Sequence, residues 1–168
     1  MKTRQQLTLF LRDKSDMIER LRHKYNPIQY DLIPAHVTLC REDEIIDIGK
    51  VIENLKSINN SLPIKIKFSV VKRFCKNKGL YLPASVENTT FKELRRRVLT
   101  DIDSNPRNHQ PHITIVHPRN ATCTDDIYNE VRHQTLPKVL VFDCISLIEQ
   151  CNDQKWSILN EFHSTKQQ

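Results

Sequence analysis

Apolar positions along the chain switch between a period of two and a helical period, and the switches mark the elements. Gln6 to Leu11 (QLTLFL) is rich in β-favouring residues and predicts a strand. Asp16 to Tyr25 predicts a helix with Met17, Ile18, Leu21 and Tyr25 on one face and Ser15 or Asp16 as its cap. Pro27 and Pro34 bound an expected loop, and Ala35 to Cys40 (AHVTLC) follows as a strand. Asp43 to Ile58 predicts a second helix, apolar through Ile45, Ile48, Val51, Ile52, Leu55 and Ile58 and ended by Asn59-Asn60-Ser61 and Pro63. Ile64 to Phe74 alternates as a strand, Asn77-Lys78-Gly79 forms a hairpin-type turn, and Leu80 to Leu82 begins the return. Asn88 to Ile102 predicts a third helix packed through Phe91, Leu94, Val98 and Ile102, with Arg95, Arg96 and Arg97 on its exposed side. After a polar loop, Asn105 to Gln110, the run PHITIVHP gives a strand from Ile113 to His117. Thr124 to His133 is a fourth helix, capped by Thr124 with Asp125 and Asp126 in its first turn. Val139 to Glu149 and Lys155 to Asn160 are two late strands joined by a hairpin at Cys151 to Gln154.

Alternating strands and helices with tight hairpins point to an α+β fold with antiparallel sheets. At 168 residues, the chain suits one compact domain over 1–168 or two small lobes packed as one. The 38% apolar and 27% charged content can bury a core. A formal net charge of +6 favours anionic partners, RNA or nucleotides among them. The N-terminal apolar run is short and Arg12-Asp13-Lys14 follows it, so no signal peptide is expected. No stretch approaches the roughly 18 apolar residues of a membrane span. A cytoplasmic monomer, independent of membranes and cofactors, is the expectation.

Five cysteines, with no CxxC pair, argue against a disulfide framework or a zinc ribbon. Cys144 and Cys151 could face each other across a hairpin, and reduced thiols, mostly buried packing residues, are expected. Gly49 and Gly79 are the only glycines, which excludes a P-loop or a dinucleotide fingerprint.

One internal repeat carries chemistry. Ala35-His36-Val37-Thr38-Leu39 recurs as Pro111-His112-Ile113-Thr114-Ile115. In a strand, His and Thr two apart share one face, while Val37, Leu39, Ile113 and Ile115 point to the other. A lone strand histidine is usually structural; two matched motifs are a different matter. Opening a cyclic phosphodiester takes a base to activate water and an acid to protonate the departing oxygen, and imidazole serves in either state near neutral pH. Two threonine hydroxyls can donate to the non-bridging oxygens.

The paired motifs, half the chain apart, resemble those of the two-histidine (2H) phosphoesterases, which include 2′-5′ RNA ligase-like proteins and cyclic phosphodiesterases. The resemblance covers nearly the whole chain. It implies a bilobal fold with a pseudo-twofold axis, two antiparallel sheets lining a central groove with helices outside, and one motif from each lobe. It implies that His36, Thr38, His112 and Thr114 are the catalytic tetrad, with His112 as the base and His36 as the acid. Expected substrates are 2′,3′-cyclic phosphates or 2′-5′ phosphodiesters of RNA ends or small nucleotides. Ligation by the reverse reaction and a non-catalytic RNA- or nucleotide-binding module are the alternatives.

Other residues are weighed against plainer roles. Arg41 and Arg119 follow the motifs and suit phosphate contacts, against a plain surface role. Tyr81, in GLYLP, falls where the 2H family lines its groove and suits base stacking. Phe74 is read as core first. His117 shares the second motif's face. The spacing of His109, His112 and His117 matches no common zinc pattern, so no metal is expected. His23, His133 and His163 read as surface, Trp156 as core, and the arginine run on the third helix as a solvated face or an RNA track.

Overall fold

The computed structural model describes residues 2–12, 16–58, 61–85 and 87–164. Among these are nine strands, arranged in two antiparallel sheets, and five α-helices. The larger sheet has seven strands in the order β4-β5-β6-β2-β1-β8-β9. They are β1 Thr3–Phe10, β2 His36–Cys40, β4 Lys72–Arg73, β5 Leu80–Pro83, β6 His112–Val116, β8 Cys144–Cys151 and β9 Ser157–His163. The smaller sheet pairs β3 (Ile64–Lys67) with β7 (Val139–Phe142). The α+β expectation holds.

The larger sheet repeats one unit. β1 leads through α1 (Asp16–Tyr25) and α2 (Pro27–Leu32) to β2, which lies antiparallel beside β1. β5 leads through α4 (Thr89–Val98) to β6, which lies antiparallel beside β5. In both pairs the register shifts at one place, between Leu7 and Thr8 and between Leu80 and Tyr81. The residues across each shift match as well. Leu7 faces Cys40 and Leu80 faces Val116, each four residues beyond its motif histidine. Each helix then packs against the other unit's motif strand, α1 on β6 and α4 on β2. The two units meet where Val37 pairs with Ile113.

Strand alternation explains the sidedness. Val37, Leu39, Ile113 and Ile115 are fully buried beneath the sheet, with Ile18 and Leu21 of α1 and Phe91, Leu94 and Val98 of α4 in the same core. Burying each of these side chains contributes roughly 1.5–3 kcal/mol. Gly79 is required by close approach. A Cβ there would lie 2.6 Å from the Phe74 ring and 2.7 Å from the Val116 carbonyl oxygen.

Several predicted elements are revised. Pro27 starts α2 where a loop was expected, because proline suits the first helical turn. The second helix, α3, runs only Ile48–Ser57. Residues 43–47 stay outside it because Glu44 folds back onto the Arg41 amide and Asp47 caps the helix through the Lys50 amide. The strand expected over Ile64 to Phe74 is two strands in different sheets, β3 and β4. The one expected over Val139 to Glu149 likewise divides at Asp143 into β7 and β8. Cys144 and Cys151 lie at opposite ends of one strand rather than across a hairpin, and all five thiols are free. Ser15, Asn59 and Asn60, expected at helix ends, lie outside the described residues, as does the Asp16 side chain.

The arginine run is also corrected. Arg95 is buried, not exposed. Its guanidinium pairs with buried Glu44 at 2.6 Å and donates to the Leu39 and Arg107 carbonyls. Burial is the largest influence on the Glu44 carboxylate and opposes its charge, but the Arg95 hydrogen bond, the Arg41 amide and the charges of Arg95 and Arg107 together outweigh it, so its pKa falls below the usual range. Arg96 remains exposed and pairs with Glu93. Arg95→Ala therefore removes the buried partner of Glu44, leaving it only the more exposed Arg107 at 3.3 Å and the Arg41 amide, and should cost about 3–5 kcal/mol. Arg96→Ala should stay within about 0.5 kcal/mol. Urea unfolding of the two variants checks the contrast; equal effects would overturn the buried-pair account.

Candidate active site

A groove of about 570 Å³ crosses the face of the larger sheet opposite its core, over the β2–β6 junction. His36, Thr38, His112 and Thr114 all line it, and all four are half-buried. Two strands a half-chain apart thus bring both motifs to one cleft. No residue of the smaller sheet lines it.

The two imidazoles are held the same way. His36 Nδ1 lies 2.8 Å from the Pro34 carbonyl oxygen, and His112 Nδ1 lies 3.1 Å from the Gln110 carbonyl oxygen. A carbonyl only accepts, so each neutral ring carries its proton on Nδ1 and keeps a lone pair on Nε2. His117 is oriented the opposite way. Its Nδ1 accepts the Arg119 amide at 3.1 Å, which leaves Nε2–H as a donor. His117 is thereby suited to hold an anion rather than to abstract a proton.

The first motif is fixed from α1. Glu19 accepts the Ala35 amide at 2.6 Å and pairs with Arg22, whose guanidinium donates to the Ile33 carbonyl at 2.7 Å. Around His112 the support is aromatic. Phe74 stacks on Tyr81 with centroids 4.3 Å apart, and both rings meet His112 edge-on at 5.9 and 5.5 Å.

The groove is strongly cationic. Lys2, Arg4, Arg22, Arg41 and Arg119 line it, against one acid, Asp153. Burial lowers the pKa of His36 to about 4, helped by the charge of Arg22 and opposed by the Pro34 carbonyl. Burial also lowers His112, opposed by the Gln110 carbonyl. His117 is lowered by burial and by Arg119 and Arg4, and His109 to about 4 by burial and by Arg95. The groove therefore holds imidazoles whose protonation is disfavoured, among fixed positive charges.

Arg41, Arg119 and His117 line the groove as expected. Tyr81 backs the groove, and Phe74, expected in the core, is the ring that lines it. Trp156, also expected in the core, sits half-buried at the groove with Arg4 stacked over its ring at 5.5 Å. His109 also reaches the groove; His23, His133 and His163 are exposed. Sequence reasoning missed Arg4 and Arg22. Arg22 carried a signal: it lies four residues after Ile18, inside the apolar stripe of α1. Among the described residues, none of the groove histidines belongs to a cluster with metal-ligand geometry, and no helix is long and apolar enough to cross a membrane.

Two antiparallel sheets, an internally repeated strand–helix–strand unit and a pair of facing His-x-Thr motifs define a two-histidine phosphoesterase fold. The chain belongs to the 2′-5′ RNA ligase superfamily, a phosphoesterase superfamily that matches residues 11–154. Its fold is similar to that of E. coli LigT. The crystal structure with ATP gives a TM-score of 0.61 at 13% identity and the one with phosphate 0.58 at 13%; each covers 98% of both chains. A crystal structure described as a phosphoesterase gives 0.58 at 11% identity, covering 98% of this chain and 100% of that one. No curated protein sequence matches the chain.

The lowered His36 pKa has a consequence for stability. Between about pH 6.5 and pH 4 the unfolded chain takes up a proton that the folded His36 refuses. The stability from the neutral ring is thus present above pH 6.5 and is lost as pH falls through that window. His36→Gln should flatten the slope, measured by urea unfolding at pH 7 and pH 5, while NMR of the wild type shows the His36 ring still neutral at pH 5. A His36 midpoint near 6.5 would contradict this.

Proposed function

We propose that this chain is a metal-independent phosphodiesterase that hydrolyses a 2′,3′-cyclic phosphate or a 2′-5′ phosphodiester of RNA ends or small nucleotides. The observation that carries the reading is the matched pair of imidazoles, each pinned at Nδ1 and each offering Nε2 to one cationic groove.

One imidazole takes a proton from water as the water oxygen bonds to phosphorus. The other gives a proton to the sugar oxygen as its bond to phosphorus breaks. The two threonine hydroxyls and His117 Nε2–H donate to the non-bridging oxygens as charge builds on them. Arg41 and Arg119 hold the anion, and the Phe74–Tyr81 stack takes a base. By resemblance His112 is the base and His36 the acid. The acid must be protonated when substrate is bound, and the phosphate's negative charge favours that protonation. The E. coli LigT structures hold phosphate, ATP and 3′-AMP, which supports an anionic nucleotide as occupant.

His36→Ala and His112→Ala should each lower kcat on a cyclic-ended RNA or a cyclic nucleotide by about 10²–10⁴, as for loss of a general acid or base. Wild-type turnover should persist in EDTA. Full activity in either variant rejects the assigned roles. Binding without product, on any phosphodiester tried, favours a binding module instead.

A further inference from the structure

A second cluster of chemically able side chains lies away from the groove, where β8 begins and β9 ends. Cys144 pairs with His163, and Ser146 pairs with Glu161. Opposed residues of an antiparallel ladder share a face, as do residues two apart on one strand. Thiol, hydroxyl, carboxylate and imidazole therefore project together, and none of them lines the groove.

One ligand atom from each of Cys144, Glu161 and His163 lies within 4.8 Å of the other two. Cys144 Sγ is 3.9 Å from His163 Nε2, and that nitrogen is 3.6 Å from Glu161 Oε2. Tetrahedral zinc, with bonds of about 2.3 Å to sulfur and about 2.0 Å to nitrogen and oxygen, sets these separations at about 3.5 and 3.3 Å. These two separations need close by only a few tenths of an ångström, and the third, from sulfur to carboxylate, is within 4.8 Å. Cys144 is buried, Glu161 half-buried and His163 exposed, so the cluster opens toward solvent at the imidazole, where water can fill a fourth position.

The carboxylate is already oriented. Glu161 Oε1 is held by the Arg12 guanidinium and by the Ser146 hydroxyl at 3.2 Å, which turns Oε2 toward His163. Arg12 is also the competitor for the site: it lies 3.4 Å from Cys144 Sγ as well as pairing with Glu161. Burial pushes the Cys144 thiol up, while Arg12 pulls it down.

We propose that Cys144, Glu161 and His163 form a binding site for one borderline divalent cation, zinc by donor chemistry, that ties the last two strands together at the sheet edge. On binding, the thiol releases its proton and the sulfur–metal bond replaces the sulfur–hydrogen bond, with no change of oxidation state.

The test uses the untagged chain, stripped with EDTA, dialysed and titrated with cobalt(II). One equivalent should produce a near-ultraviolet thiolate-to-cobalt band that zinc displaces. Cys144→Ser and His163→Ala should each lose it, whereas Cys75→Ser and Cys151→Ser should keep it. Arg12→Gln should bind cobalt several-fold more tightly. His163 is exposed, so its variant tests the site even where Cys144→Ser folds poorly. No thiolate band in the wild type, or a band that survives in folded His163→Ala, overturns the proposal.

Discussion

The pairing of Val37 with Ile113 is the constraint from which the site follows. Both residues are fully buried, so the hydrophobic effect fixes which way each strand faces. Once the apolar side is down, the pleat turns His36, Thr38, His112 and Thr114 up. A slip of one residue in either strand would bury an imidazole and expose a core side chain. The same free energy that assembles the core thus sets the geometry of the groove. No separate device is needed to bring two motifs from opposite halves of the chain together.

Holding the rings is a second, more local task. In each unit the carbonyl two residues before the histidine fixes the tautomer, so the backbone that enters the strand also aims the side chain. The surrounding positive charge has a different origin in each place. Arg41 and Arg119 follow the motif strands, whereas Arg4 and Arg22 come from β1 and α1. Arginine carries its charge at any relevant pH, so the field in the groove stays constant while the imidazoles titrate.

The element types, the α+β class and the motif pair were legible because each depends on local periodicity. What was missed depends on where the chain goes after an element ends. Ile64 to Phe74 alternates throughout, yet its two halves join different sheets, since alternation is the same in any sheet. Trp156 and Phe74 read as core because large rings usually are, and here each covers the groove instead. Arg95 read as surface from its arginine neighbours. Its burial depends on Glu44, 51 positions earlier, which no local pattern exposes. The β8–β9 register, which gathers Cys144, Glu161 and His163, was equally hidden, because a hairpin predicted at Cys151 to Gln154 does not reveal its pairing.

Two buried arginines clamp the first motif from either end. Arg22 of α1 binds the Ile33 carbonyl before β2, and Arg95 of α4 binds the Leu39 carbonyl within it. The two motifs are therefore alike in geometry but not in electrostatics. Arg22 opposes protonation of His36, whereas the shift at His112 comes from burial against its own Gln110 contact. A protonated His36 therefore has to be compensated by negative charge bound in the groove. Under the proposed roles, that charge is the substrate's phosphate.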